Sequence, residues 1–177
     1  KVDGYSNYSR GLAAYYRKEY KQAEQQFSKA LERGIRTNRK ANELLTKLAL
    51  ATTYMEQKKW QAAGSIFQEI EEALEKGERH TPKLLAIYYP LYGEWLYKQK
   101  HYDKAFQLFE LAYVRHPELI GEEAYYYAKL LLQHGDKDKA CKLLNHLLHP
   151  NNQWKIFRLS VEEVYQLYNE QCLEKTS

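Results

Sequence analysis

The sequence predicts an all-α fold made of consecutive helical hairpins, closed by one further helix near the C-terminal end. Eight Gly and four Pro among 177 residues are few, and both residues mark the turns of β-rich folds. A short motif recurs at intervals of 35 to 42 residues, which fits one helical hairpin per copy. Hydrophobic residues make up 44% of the chain, enough to form a core. These observations disfavour an all-β fold and predict nine helices without strands.

The recurring motif is Ala-x-x-x-Phe, with an aromatic residue three positions before the alanine in its first three copies. Its anchoring alanines are Ala23, Ala63, Ala105 and Ala140, and Leu144 replaces the phenylalanine of the last copy. A small residue stands twelve positions before each anchor, at Gly11, Ala51, Gly93 and Ala128. Small residues let two helices approach closely, and apolar residues at helical spacing accompany them. Each copy therefore predicts two packed helices.

Cap residues mark the predicted helix ends between the hairpins. Gly34 and Gly77 are expected to end the second helices of the first two hairpins, and Thr37 and Thr81 to begin the helices that follow. Pro82 then fits the first helical position, where its missing N–H costs nothing.

Proline also interrupts the same helix further on. Pro90 removes a backbone hydrogen bond and clashes with the preceding turn, so a bend or restart is predicted near residues 88–90.

The repeat stops after residues 149–152, and a different helix is predicted beyond it. Ser160 and Glu163 form a Ser-x-x-Glu capping box that begins a helix extending to about Gln171. This helix is expected to cover the apolar face of the fourth hairpin, as the ends of repeat arrays require. The side chains of the preceding loop expected to pack against that face are Trp154, Ile156 and Phe157.

The repeat resembles the tetratricopeptide repeat, whose first helix carries aromatic, Leu-Gly and Tyr positions and whose second carries Ala-x-x-x-Phe. The best-matching copy is the third, with Tyr89, Tyr92, Gly93, Leu96, Ala105, Phe109, Ala112 and Pro117. In the first copy Asn7 and Arg10 stand where large apolar residues are usual. The spacings of 40 and 42 residues exceed the usual 34, which predicts elongated helices.

The resemblance implies a right-handed superhelical array of about four hairpins plus a C-terminal capping helix, in a single domain of residues 1–177. The repeats would span about residues 4–37, 44–80, 82–117 and 121–150, and the capping segment residues 153–172. Because the chain begins with Lys1 rather than Met, we expect it to be a fragment of a longer protein.

In this family the first helices of successive repeats line a concave groove that binds a peptide or helix of a partner protein. Carried over residue by residue, the resemblance implies a groove lined by Tyr5, Tyr8, Leu12, Tyr15 and Tyr16, then by Leu45, Leu48, Thr52 and Met55, then by Ile87, Glu94, Tyr97 and Lys98, and finally by Glu122, Tyr125, Lys129 and Leu132.

Tyrosine suits such a groove because its ring is apolar and its hydroxyl can stay hydrated, and the chain contains 17 tyrosines. The alternative is that several of them, among them Tyr92 and Tyr127, pack between helices. The Lys/Arg and Asn clamp with which some family members hold acidic chaperone tails is absent, since Tyr8 and Leu12 occupy its first positions.

Catalytic and cofactor motifs are missing from the sequence. There is no P-loop, no G-x-G-x-x-G, no G-x-S-x-G and no H-E-x-x-H, so we expect neither an enzyme nor a cofactor. His146 and His149 lie three residues apart without an evident third ligand, and a metal site is not expected. Cys141 and Cys172 are interpreted as small residues packed between helices and not as a disulfide.

Two other functions remain open at this point. Repeats of 40–42 residues are similar to those of the pheromone-sensing regulators of Gram-positive bacteria, which makes a peptide-sensing regulatory domain the alternative. A nucleic-acid-binding repeat would rest on the basic stretch of Arg33, Arg36, Arg39 and Lys40, but a net charge of +4 is mild for that class. A solvated linker, compensated by the glutamates of residues 69–78, explains the same stretch.

The longest uncharged apolar run, residues 84–93, is far shorter than the roughly 20 residues that cross a bilayer, so membrane insertion is not expected. The expected compartment is the cytoplasm, or the bacterial envelope if a signal peptide preceded Lys1. The oligomeric state is left open.

Overall fold

The computed structural model describes residues 3–173, and within them it contains nine α-helices and no β-strand, which confirms the all-α prediction. The helices are α1 (Tyr5–Tyr16), α2 (Tyr20–Arg33), α3 (Arg39–Glu56), α4 (Trp60–Glu75), α5 (Pro82–Lys98), α6 (Tyr102–Tyr113), α7 (Ala124–Gln133), α8 (Lys137–Leu148) and α9 (Val161–Cys172). Two short 3-10 turns lie at Pro117–Leu119 and Gln153–Lys155.

The chain divides into two compact units, and the boundary between Tyr88 and Tyr89 lies inside α5. In the N-terminal unit α1 packs on α2, α2 on α3, and α3 on α4. In the C-terminal unit α6 packs on α7, α7 on α8, and α8 on α9. Helix α5 continues through Pro90 without a break, so it does not restart there.

All four hairpins contain the same turn. The second turn residue adopts a left-handed conformation in every case, at Lys18, Lys58, Lys100 and Gly135, with φ between 58° and 80°. The N–H of Lys58 donates to the carbonyl oxygen of Met55, and the next N–H donates to that of Tyr54, both at 2.9 Å. The other three hairpins repeat this pair of bonds, which is the Schellman arrangement that terminates a helix. The repeat is therefore present in backbone geometry as well as in sequence.

The anchoring motif forms the contact between the two helices of each hairpin. All four anchoring alanines are fully buried, as are Phe27, Phe67, Phe109 and Leu144 four residues later. A Cβ atom added to Gly11 would lie 2.6 Å from the ring of Phe27, and one added to Gly93 would lie 3.1 Å from the ring of Phe109. The small residues on the first helices thus make room for these large side chains, as the sequence predicts.

The first hairpin also contains a buried polar contact. Asn7, at one of the positions where the repeat usually has a large apolar residue, is only 3% exposed. Its Nδ2 donates to Oε1 of Gln26 at 2.8 Å, and its Oδ1 accepts from Nη1 of Arg33 at 3.0 Å. Because both polar ends of the amide have partners, its burial is tolerated.

The predicted caps are largely confirmed. Gly34 and Gly77 follow α2 and α4 with positive φ values of 72° and 99°, and the Oγ1 of Thr81 accepts from the N–H of Leu84. The prediction for Thr37 is wrong, because α3 is preceded by Asn38 at the cap position. The carbonyl oxygen of Thr37 instead accepts from Nδ2 of Asn42.

The C-terminal segment is helical where the capping box predicts it. The Oγ of Ser160 accepts from the N–H of Glu163, and the Glu163 carboxylate accepts from the N–H of Ser160 at 3.0 Å. The resulting helix, α9, packs on α8, so its predicted position is confirmed. Ile156 and Phe157 are partly buried, whereas Trp154 is 76% exposed and does not pack as predicted.

The two cysteines form a disulfide, contrary to the prediction of two separate thiols. The Sγ atoms of Cys141 in α8 and Cys172 at the end of α9 are bonded, and 31 positions separate the two residues. The sequence contained no spacing signal for this pairing, because the contact depends on the way α9 folds back on α8.

Removing the side chain of a left-handed turn residue should stabilise the protein. A non-glycine residue in this conformation costs the folded state roughly 1–2 kcal/mol. Glycine removes that cost but loses more conformational entropy on folding, which costs about 0.5–1 kcal/mol. We expect Lys58→Gly to raise the free energy of unfolding by about 0.5–1 kcal/mol in urea titrations. The matched control is Lys29→Gly at an exposed interior position of α2, which should lower it by about 1 kcal/mol. Equal effects of the two changes would contradict the turn assignment.

The aromatic core of the C-terminal unit contains a buried hydroxyl. The Tyr127 ring stacks 5.5 Å from that of Phe109, and among the residues that the structure describes none forms a hydrogen bond with the Tyr127 hydroxyl. The hydroxyl of Tyr88, by contrast, donates to the carbonyl oxygen of Phe67 at 3.2 Å.

Phenylalanine substitutions at these two tyrosines should therefore have opposite effects. Tyr127→Phe removes an unsatisfied buried group and should raise the free energy of unfolding by about 1 kcal/mol. Tyr88→Phe removes a hydrogen bond and should lower it by about 1 kcal/mol. Urea unfolding of both variants measures this, and destabilisation by Tyr127→Phe would mean that its hydroxyl has a partner.

Candidate functional site

The structure separates the residues of the predicted groove into buried and accessible ones. Leu48 and Met55 are each 2% exposed, and the buried Thr52 hydroxyl donates to the carbonyl oxygen of Leu48. These three side chains of α3 belong to the interior and present no surface to a ligand. Glu94, also 2% exposed, forms an ion pair with Arg158 in the interior.

The first helix presents a stripe of tyrosines that is only partly accessible. Tyr5 and Tyr16 are 61% and 64% exposed. Tyr8, Leu12 and Tyr15 pack against the core around Phe27, and the ring of Tyr8 lies 6.0 Å from that of Phe27. Burial raises the pKa of the Tyr8 hydroxyl, and the neighbouring hydroxyls of Tyr16 and Tyr5 raise it further. The inner residues of this stripe therefore pack against the core, and Tyr5 and Tyr16 remain accessible to a ligand.

In the C-terminal unit the structure brings four of the predicted site residues together. Tyr97 and Lys98 lie at the end of α5, and Tyr125 and Lys129 lie one turn apart on α7. Tyr126 joins them, with its ring 5.1 Å from that of Tyr97 and 5.4 Å from that of Tyr125. We call these five residues the tyrosine–lysine surface.

Both lysines of this surface lie over aromatic rings. The Nζ of Lys98 is 5.3 Å from the ring centre of Tyr126, and the Nζ of Lys129 is 4.7 Å from that of Tyr125. Each contact is a cation–π interaction, worth about 0.5–1 kcal/mol where it is exposed to solvent. The rings of Tyr125 and Tyr126 are each 8% exposed, so the lysines and Tyr97 form the accessible part.

The hydroxyls of Tyr97 and Tyr126 remain protonated at neutral pH, because both pKa values are raised. Burial raises the pKa of Tyr126, and the carboxylate of Glu94 raises it further. Burial also raises the pKa of Tyr97, although the nearby Lys129 ammonium opposes that rise. The surface therefore combines two cations with protonated hydroxyls, a set of groups suited to contacting carboxylates.

A buried ion cluster lies close to the tyrosine–lysine surface, with carboxylates from α5 and from the residues just before α7. Arg158, 6% exposed, places its guanidinium among three carboxylates: Nη1 is 2.5 Å from Oε2 of Glu94, Nε is 2.9 Å from Oε1 of Glu122, and Nη2 is 3.2 Å from Oε1 of Glu123. Glu122 also accepts from the backbone N–H groups of Phe157 and Arg158. The cluster joins the loop before α9 to α5 and to the start of α7.

Burial dominates the electrostatics of this cluster. Desolvation raises the pKa of Glu122 from 4.5 to about 7, against the opposing effect of Arg158, and the Glu123 carboxylate adds to the rise. The pKa of Glu123 is raised for the same reason, and Arg158 again opposes the change. One guanidinium thus faces three carboxylates, two of which take up protons more readily than they would in water.

Glu94 and Glu122 were both predicted to line the groove, and they lie in this interior cluster instead. Sequence reasoning missed the role of Arg158 altogether. The nearest signal was the pair Glu122-Glu123 immediately before an apolar helix, but nothing in the repeat pattern points to its partner 35 positions further on.

The basic stretch has a mixed structural role. Nη1 of Arg33 donates to Asn7, whereas Arg36 in the segment between α2 and α3 and Arg39 and Lys40 at the start of α3 are exposed. Two glutamates of α4 pair with other lysines: Glu69 lies 3.0 Å from Nζ of Lys47, and Glu72 lies 3.6 Å from Nζ of Lys76. These two carboxylates therefore neutralise lysines outside the basic stretch.

Residues 3–173 contain no group of three or more His, Cys, Asp or Glu side chains arranged to hold a metal ion. Across the same residues, every helix is too short or too polar to span a bilayer.

The histidine pair at the end of α8 is affected by its surroundings. Burial lowers the pKa of His146, and Lys155 and His149 lower it further.

Comparison with known proteins adds no relative. No protein-family model matches the chain, and no curated protein is significantly similar to it in sequence.

The Glu122 carboxyl should make the protein less stable as the pH rises. A group whose pKa is raised by folding stabilises the fold below its unfolded pKa, and this contribution is lost as pH rises to the folded value. The window therefore runs from about pH 4.5 to about pH 7, and a rise of this size corresponds to about 3 kcal/mol. Urea unfolding at about pH 5 and about pH 7.5 should show the loss in the wild type.

Glu122→Gln imitates the protonated carboxyl and should flatten this pH dependence by up to about 3 kcal/mol. Glu162→Gln, at an exposed position of α9, is the matched control and should keep the wild-type dependence. If the Glu122→Gln and Glu162→Gln proteins lost stability in parallel with the wild type, the carboxyl of Glu122 would not be the group that titrates.

Proposed function

We propose that the chain is a non-catalytic binding module of the tetratricopeptide type, which holds a peptide segment of a partner protein. The repetition of one turn geometry in all four hairpins, and of a glycine-to-phenylalanine contact in the first and third, supports the family assignment. That family arranges its hairpins as a right-handed superhelix, and we propose the same arrangement here.

The observation that carries the binding proposal is the tyrosine–lysine surface. Tyr97, Lys98 and Lys129 come from the first helices of the third and fourth hairpins, the helices from which the family builds its ligand groove. Aromatic side chains provide apolar contact area at low entropic cost, which is typical of interaction hot spots. A short peptide could lay an apolar side chain against Tyr97.

The positive charge of this surface favours peptides that carry negative charge. Two ammonium groups held over rings attract carboxylates, and their partial desolvation strengthens the attraction relative to fully hydrated lysines. We therefore propose a partner segment that carries Asp or Glu side chains next to an apolar or aromatic residue. The proposal relies on side-chain carboxylates and does not require a terminal carboxylate clamp.

The disulfide bears on the compartment in which this binding takes place. Disulfides persist in oxidising compartments and are rare in the reducing cytoplasm. The bond between Cys141 and Cys172 therefore favours the extracytoplasmic alternative over the cytoplasmic expectation. We propose that the protein acts in the bacterial envelope or another oxidising compartment.

Selection from a phage-displayed library of random dodecapeptides tests the function directly. We expect the wild type to enrich peptides that combine acidic with apolar residues. The double variant Lys98→Gln/Lys129→Gln should bind a synthetic copy of the enriched peptide at least tenfold more weakly, because both cations are removed. Fluorescence anisotropy of the labelled peptide measures the dissociation constants.

The matched control is Lys137→Gln/Lys142→Gln, which changes the net charge equally at exposed positions of α8. It should bind like the wild type, and circular dichroism should show both variants folded. Enrichment of peptides without acidic residues, or equal weakening in the two double variants, would count against the tyrosine–lysine surface. Failure to enrich any peptide would count against the proposed function itself.

A further inference from the structure

The C-terminal helix α9 packs on α8 but leaves most of its own residues exposed to solvent. Only Val164 of its twelve residues is fully buried, and Tyr165 is 45% exposed. Its capping box and the bond from Gln166 to Glu170 lie within the helix and its own cap, so they stabilise the helix without attaching it to α8. The covalent bond from Cys172 to Cys141 is therefore a principal attachment of α9.

The loop before α9 is anchored independently of the disulfide. Arg158 is held by the ion cluster, and Nε2 of Gln153 donates to the carbonyl oxygen of Leu148 at 2.8 Å. Lys155 donates to the carbonyl oxygen of Ile120 at 3.2 Å, and Asn152 donates to that of His146 at 2.9 Å. Loss of the disulfide would leave these anchors in place, so any release of chain should begin after Arg158.

We propose that the disulfide is a reducible clip, whose reduction releases α9 from α8 while the remainder of the C-terminal unit stays folded. The two cysteines lie at intermediate exposure, so a small dithiol can reach them. Without the clip, the undocked state of α9 gains the conformational freedom that the 31-residue cross-link removes. The apolar contacts left to oppose release are then those of the buried Val164 and of the partly buried Val161, Leu167 and Tyr168.

The chemistry is thiol–disulfide exchange with a dithiol as reductant. A thiolate of the dithiol attacks one cysteine sulfur, and the other cysteine leaves as a thiolate and takes up a proton. The second thiol of the reductant then displaces the first cysteine, which is also protonated. The protein disulfide gains two electrons and two protons, and the dithiol becomes a disulfide.

Release of α9 should also change the surface of α8. Leu148 is buried and lies two turns after Cys141 on the same side of α8, so we expect it to become exposed.

Hydrogen exchange followed by mass spectrometry, with and without dithiothreitol, tests the clip. In the oxidised protein the amides of residues 164–172 should be protected. After reduction they should exchange at least tenfold faster, while those of α7 and α8 should keep their protection. The double variant Cys141→Ser/Cys172→Ser should exchange like the reduced protein and should not respond to dithiothreitol.

Val164→Ala with the disulfide intact is the matched control. It weakens the apolar contact of α9, and its residues 164–172 should stay more protected than those of the double serine variant. The proposal would be overturned by unchanged protection on reduction. It would also be overturned by loss of protection across α7 and α8, which would make the disulfide essential to the whole unit. Release of α9 does not depend on the tyrosine–lysine surface. Failure of the peptide-binding proposal therefore leaves the clip proposal standing, and the reverse also holds.

Discussion

The close approach of two helices within each hairpin is the constraint on which the remainder of the fold depends. A phenylalanine ring can lie between helices only where the facing residue has almost no side chain, as Gly11 faces Phe27 and Gly93 faces Phe109. The alanine four residues before each ring is fully buried for the same reason. Once this distance is set, the short turn, the position of the first helix and the surface it presents follow from it.

The repeated elements could be predicted from sequence because each depends on residues close together in the chain. The Ala-x-x-x-Phe spacing, the glycines after α2 and α4 and the Ser160–Glu163 box all act over one or two helical turns. Thr37 was misassigned because Asn38, one residue later, occupies the cap position. Such errors are small, since neighbouring residues compete for the same backbone groups.

The candidate site and its supports were harder to predict. Arg158 contacts Glu94 from 64 positions away in the sequence, and Cys141 is bonded to Cys172 from 31 positions away. Neither separation matches the repeat, so the sequence pattern predicts neither contact. The position of Tyr97 and Lys98 on a first helix was visible, but their meeting with Tyr126 required the packing of two hairpins. Charged residues in a helical pattern look the same whether they face solvent or, like Glu122, an interior cation.

The buried amide of Asn7 gives the first hairpin a property that apolar packing alone cannot supply. Dispersion contacts are non-directional and depend on shape alone. Hydrogen bonds to Gln26 and Arg33 are directional, and a shift of α1 by one turn would leave the amide unsatisfied in the interior. Asn7 therefore adds a directional constraint to the alignment of α1 on α2 that the fit of Phe27 against Gly11 sets by shape.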